Sequence, residues 1–264
     1  MNELKETGRL DSLSHPDFDN SDSVFTLIES YKKHRFRGAI AVPDPFKFKG
    51  SNVEYCEKCR STNFFFTAWL YQANGRAPIQ TFESAVEHQA IAVKIHPRCL
   101  SLDLFSPRGY GLLISLFEAS VETGLPIYFC TFWSDSLDKS RSIDPIGPLS
   151  QALHAVPATR IVLLHGGGVN FLNYIELARF NENVLLDLSF TFMKYQGSSV
   201  MQDIFFALST FDNRICFGTD SPYYDLRDSM VASDELLRRC ETDFSENRLE
   251  EKVWSKNLRQ FLRL

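Results

Sequence analysis

The chain has 264 residues, 44% of them hydrophobic and 13% aromatic, with a formal net charge of −5 and a pI near 5.7. This length is enough to bury one large α/β core, and lysines and arginines scattered through an acidic chain form no continuous basic surface, which excludes nucleic acid as a partner. The leading MNELKETGRL has no apolar signal core and no run approaches a membrane span, so a cytoplasmic protein is expected, its six dispersed cysteines reduced.

Apolar runs of strand length then alternate with stretches of helical period. Residues 8–14 read as a strand and 21–35 as a helix. A second strand, 38–42, runs into a proline-rich loop and a longer excursion carrying Cys56 and Cys59. Residues 64–70 (FFFTAWL) are a third strand, 81–89 a helix, and 90–95 (AIAVKI) a fourth strand ending at His96-Pro97. Helix 109–123, strand 126–131, helix 147–155, strand 160–164, helix 170–181, strand 184–188, helix 199–211 and strand 214–217 follow, and a helical segment from about residue 233 to 261 closes the chain.

Eight strand candidates, nearly all followed by a helix, force parallel pairing through crossovers, and eight such units in this length match a single (β/α)8 TIM-like barrel. A doubly wound open sheet competes, but no G-x-G-x-x-G follows the first strand. One domain is expected over residues 1–264, with residues 44–62 inserted over the C-terminal rim.

In such a barrel the ends of the strands converge. His15, His96, Cys130, His165 and Asp220 all stand at strand ends, and imidazole, thiolate and carboxylate are ligand types of a zinc-like ion. Each also has a plain structural reading: a hydrogen-bonded rim histidine, a small core thiol at Cys130, a turn aspartate at Asp220 before Ser221-Pro222, and glycines at 166–168 that permit a tight turn. Lys94 and His96 alternate to one side of their strand, with Arg98 just beyond, and the three suit a substrate carboxylate or phosphate. Alternatively, Lys94 and Arg98 pair with rim acids such as Asp187. Phe132, Trp133, Phe190, Phe192, Tyr223 and Tyr224 form either a pocket wall or a hydrophobic plug. Cys56-Glu57-Lys58-Cys59 has no second half-site for zinc and reads as a loop with two ordinary thiols.

The segments LDSLSHP, VKIHPR, GLPIYF, IVLLHGGG, NVLLDLS, CFGTDSPY and SKNLRQFL resemble the amidohydrolase-related metal-dependent hydrolases, relatives that include decarboxylases and lactonases. The resemblance implies a distorted TIM barrel with one metal at the C-terminal rim. Its ligands in the family are an H-x-H pair after strand one, a His after strand five, often a His after strand six, and an Asp after strand eight. Here Leu13 stands in place of the first His, leaving His15, and Cys130 stands where the strand-five His belongs, whereas His165 and Asp220 match.

The implied set is therefore His15, Cys130, His165 and Asp220 around one divalent ion, zinc foremost, the alternative being a site that has lost its metal. The implied function is a metal-dependent hydrolase of a small, anionic carbonyl compound (amide, ester or lactone). Asp220 would relay the proton of a metal-activated water, and His165 would ligate, orient or protonate. A decarboxylase of the same fold and a non-catalytic binding or scaffold protein are the alternatives. A small molecule is the expected partner, with homo-oligomerisation open.

Overall fold

The computed structural model describes residues 8–132, 144–240 and 248–264. Eight strands follow one another around one sheet: β1 (Arg9–Ser14), β2 (Phe36–Ala41), β3 (Phe65–Leu70), β4 (Ala92–Ile95), β5 (Ile127–Cys130), β6 (Ile161–Leu164), β7 (Val184–Asp187) and β8 (Ile215–Cys216). Every neighbouring pair is parallel. At the seam, the end of β1 meets the segment after β8 through backbone bonds: Ser12 N–H to Phe217 O at 3.2 Å, Asp220 N–H to Leu13 O at 2.9 Å and His15 N–H to Ser221 O at 2.7 Å. The fold is the expected TIM barrel.

The crossovers are α1 (Ser21–Lys33), α2 (Asn52–Ser61), α3 (Pro78–Glu87), α4 (Pro107–Thr123), α5 (Ile146–Ala155) and α6 (Phe171–Phe180), then the single turn α7 (Thr191–Lys194) with α8 (Ser199–Thr210). Local chemistry sets their ends. Asn20, Ser51 and Ser106 accept from backbone N–H groups at the starts of α1, α2 and α4, and α4 stops at Gly124 in a left-handed conformation (φ 73°). The final segment begins earlier than its pattern suggests: α9 spans Leu226–Cys240, and α10 (Arg248–Glu251), a π-helical turn at Lys252–Lys256 and α11 (Asn257–Leu262) complete the chain.

Residues 44–62 are not an insertion. Residues 52–61 are α2, the ordinary crossover between β2 and β3, and only the loop before it reaches the rim, where Phe46 meets His96 edge-on at 5.2 Å. Cys56 and Cys59 therefore lie one helical turn apart, not in a loop. Both are buried, and burial pushes their thiols up to about 11 and about 12, so they are inert packing groups.

Inside the barrel, Leu10, Ile40, Ala68, Ala92, Tyr128, Val162, Leu185 and Cys216 form one apolar cluster with Leu258 and Leu262 of α11. The last helix thus stoppers the N-terminal end, and every site residue is left for the other end. Strand alternation does the rest: the next inward positions after Leu10, Ala92, Tyr128 and Leu185 are Ser12, Lys94, Cys130 and Asp187, all buried. No helix among the described residues is long and apolar enough to cross a membrane.

Candidate active site

At the seam, His15 donates from Nδ1 to the Val42 carbonyl (2.7 Å), which turns Nε2 toward Asp220 Oδ1 at 3.3 Å. Asp220 sits in the left-handed region (φ 55°), a conformation that an aspartate tolerates and the seam bonds impose. Burial alone would raise the Asp220 carboxyl. The His15 hydrogen bond and the fields of His165, His15 and Lys94 more than offset it and hold the acid below the ordinary carboxylate range. Asp11 braces this corner from behind. Its carboxylate accepts from Leu13 N (3.1 Å), Thr219 N (2.8 Å), Thr219 Oγ1 (2.6 Å) and Tyr31 OH (2.5 Å), tying β1 and α1 to the residue before Asp220.

The opposite side of the rim is built by β4 to β7. His165 is also left-handed (φ 66°) and opens a chain reversal through Gly166, Gly167 and Gly168, all at positive φ. At Gly167 the requirement is absolute, because a Cβ there would fall 2.0 Å from the Tyr174 ring. The turn lets His165 donate from Nδ1 to the Ser189 carbonyl (2.9 Å), leaving Nε2 for Cys130. His96, at the end of β4, accepts at Nδ1 from Cys99 N–H at 3.3 Å. Burial would raise the Cys130 thiol, but the charge and hydrogen bonding of His96 and His165 hold it well below the usual thiol range, and the contact with Cys130 in turn raises His165 despite its burial.

Lys94 is 1% exposed and has no hydrogen-bond or ion-pair partner among the described residues. Burial lowers its pKa, while the fields of Cys130, Asp220 and Asp187 raise it. Asp187 is not its partner. That carboxylate accepts from Ser12 Oγ and Ser189 Oγ, from Ser189 N at 3.1 Å and from His165 N at 3.4 Å. Nor does Arg98 pair with it: its guanidinium lies over Phe46 (5.7 Å) and Phe132 (5.2 Å), and its buried Nε has no partner.

Phe132, Phe190 and Tyr224 form a continuous aromatic wall, at 4.9 Å and 5.3 Å between ring centroids, and both phenylalanines touch His165. Phe192 does not join them. It is 1% exposed and stacks on Phe217 in the core, and Trp133 lies outside the described residues. Tyr223 closes the seam side, meeting His15 edge-on at 5.9 Å and donating to Asp44 at 2.9 Å.

The four expected ligands, His15, Cys130, His165 and Asp220, are all buried at this rim. Among the described residues no group of three or more His, Cys, Asp or Glu side chains is placed to hold an ion. His15 pairs with Asp220 at 3.3 Å, and His165 is held by the Ser189 carbonyl at 2.9 Å. Leu13, in the place of the missing histidine, is fully buried in the apolar interior. The sequence reading passed over Asp11, Ser12 and Ser189 and took Asp187 only as an ion-pair partner. Their signal was a polar residue ending an otherwise apolar strand, as in Leu185-Leu186-Asp187.

An amidohydrolase family model matches residues 25–264. Solved structures with this fold include an uncharacterised TIM-barrel protein of Bordetella bronchiseptica, 16% identical over 92% of this chain and 83% of that one, TM-score 0.72. The probable 2-pyrone-4,6-dicarboxylic acid hydrolase of Acinetobacter baumannii, with citric acid bound, is 14% identical over 98% and 100%, TM-score 0.67. An amidohydrolase of Burkholderia multivorans with bound zinc is 12% identical over 98% and 100%, TM-score 0.64. No curated protein matches the sequence.

Proposed function

Because the chain belongs to the amidohydrolase family, we propose that it hydrolyses a small carbonyl compound, an amide, ester or lactone, that carries a carboxylate. One observation supports this above the others. Lys94 Nζ and Arg98 Nε are cationic donors at the rim that the described residues leave without partners. A buried polar group without a partner costs about 1–3 kcal/mol, so Arg98 Nε, with Lys94 at the same rim, is suited to an anion that arrives with the substrate. The citric acid in the Acinetobacter protein is a small polycarboxylate in the same fold and agrees with such a ligand.

Family members usually bind a divalent metal; the chemistry assigned here is that of the side chains present. Asp220 is held ionised, and its Oδ2 has no partner among the described residues; it takes the proton of the attacking water. His165, fixed by Ser189 and pushed toward the protonated state, delivers a proton to the leaving group. The aromatic wall of Phe132, Phe190 and Tyr224 covers the apolar part of the substrate.

The test compares carboxylate-bearing esters and lactones with neutral isosteres. The anionic series is expected to be preferred, and Arg98→Gln to raise KM for it by roughly 10- to 100-fold, the worth of a charge-assisted hydrogen bond, with kcat little changed. Equal rates on neutral and anionic esters would remove the anion from the proposal. No hydrolysis of either would favour the non-catalytic reading.

A further inference from the structure

We propose that Asp11 is the positioning residue of this site: through Thr219, and locked by Tyr31 of α1, it fixes the direction in which Asp220 presents its carboxylate. The proposal rests on the hydrolase reading above, in which Asp220 meets the attacking water. Asp11, Tyr31 and Thr219 are completely enclosed, whereas His15 and Asp220 beside them keep a small exposure. Asp11 therefore cannot touch a substrate and acts only through Asp220.

Three bonded routes run from Asp11 to the backbone around Asp220, and none ends on the Asp220 carboxylate. The first holds the preceding residue, since Thr219 N–H donates to Asp11 Oδ1 at 2.8 Å. The second runs through a side chain. Thr219 Oγ1 donates to Asp11 Oδ2 at 2.6 Å and accepts from Ser221 N–H at 3.2 Å, so the residues on both sides of Asp220 are tied to one acid. The third crosses the seam: Leu13 N–H donates to Asp11 Oδ1 at 3.1 Å, and the Leu13 carbonyl accepts from Asp220 N–H at 2.9 Å. Tyr31 completes the set, its hydroxyl 2.5 Å from Asp11 Oδ2 and 3.3 Å from Thr219 Oγ1. Gly218 permits this close approach of the seam, because a Cβ there would fall 2.5 Å from Ser12 Oγ and 3.0 Å from Leu13 N.

What these bonds hold is the backbone of Asp220. A left-handed aspartate (φ 55°) persists where its surroundings over-determine it, and in this conformation Oδ1 stands 3.3 Å from His15 Nε2. Lys94 and Arg98, which receive the substrate anion in the same reading, stand on β4 and just after it, outside this network. Loosening the network should therefore misplace the Asp220 carboxylate and leave substrate affinity nearly unchanged.

Four variants of the full chain test this on mono-4-nitrophenyl succinate. Asp11→Ala is expected to lower kcat about 100-fold, the effect of a small misplacement of a reacting group, with KM changed less than about threefold. Asp11→Asn should recover most of that loss, because its amide oxygen accepts from the two N–H groups and its NH2 donates to the two hydroxyls. Thr219→Val keeps the backbone bond and loses the hydroxyl, and should lower kcat about tenfold in the same manner, with Thr219→Ser recovering it. Independently of turnover, hydrogen–deuterium exchange of the peptide covering residues 218–224 should be at least about tenfold faster in Thr219→Val, with α11 as protected as in the wild type.

Unchanged kcat in Asp11→Ala and Thr219→Val would overturn the proposal, as would a loss expressed in KM alone. An Asp11→Asn enzyme as slow as Asp11→Ala would also overturn it, by assigning the effect to charge and not to position. Should Asp11→Ala fail to fold by circular dichroism, the two Thr219 variants decide. All of these results leave the hydrolase reading standing. A wild type inactive on every anionic ester would instead remove that reading, and exchange at residues 218–224 would then decide the positioning role: faster local exchange in Thr219→Val upholds it, and unchanged exchange overturns it.

Discussion

The two ends of the barrel are made by the same strands and treat buried polarity in opposite ways. At the N-terminal end Leu10, Ile40, Ala92, Val162 and Leu185 close over Leu258 and Leu262. At the C-terminal end the next inward positions are Ser12, Lys94, Cys130 and Asp187. There the chain satisfies some buried charges completely, as at Asp11 and Asp187, and leaves Lys94 and the Arg98 Nε without partners. A chain that can surround Asp11 with four donors is able to neutralise a lysine. That it does not do so, within the same rim, is why the proposed substrate anion is placed at Lys94 and Arg98.

The contrast breaks most severely at the stopper. Leu258→Ala removes a fully buried side chain from the closed end and is expected to cost about 2–5 kcal/mol by urea denaturation, with rim chemistry retained at temperatures where the variant stays folded. A loss of activity larger than the loss of folded protein would mean that the two ends are coupled.

A smaller, pH-dependent effect belongs to Asp11. Burial outweighs its four hydrogen bonds and raises its carboxyl from 3.8 to about 7. Between those values the native state keeps a proton that the unfolded chain releases. Asp11 therefore favours folding most at low pH, and this contribution is lost as pH rises through about 7, by at most ~1.4 kcal/mol per unit. Asp11→Asn should flatten that slope, so its stability relative to wild type improves from acid to neutral pH in parallel urea titrations. A constant difference across that range would place the Asp11 pKa elsewhere.

The smallest change sharpens the rim alone. Tyr223→Phe deletes the bond to Asp44 across the mouth of the site and should cost only about 0.5–1.5 kcal/mol. Its visible consequence would be faster proteolysis in the loop between β2 and α2, with the stopper end unaffected.

Much of this was legible in the residue order. Alternation of strand-length apolar runs with helical periods determined the barrel, because parallel neighbours joined by crossovers have few other ways to close. The strand-end positions of His15, Lys94, His96, Cys130, His165 and Asp220 followed from the same pattern, since a residue that ends a barrel strand must stand at the rim. The order of residues could not decide how those groups pair. Cys56 and Cys59 looked like a half-site in a loop, and tertiary packing made them the buried face of a helix. His15, Cys130, His165 and Asp220 looked like one ligand set, and the structure adds what each histidine leans on: His15 on the Val42 carbonyl and Asp220, His165 on the Ser189 carbonyl. Periodicity reports which way a side chain faces, and that is local; which group meets it across a barrel depends on strand register, left-handed turns at His165 and Asp220, and the Asp11 and Asp187 networks behind them, all set by contacts between residues distant in the chain.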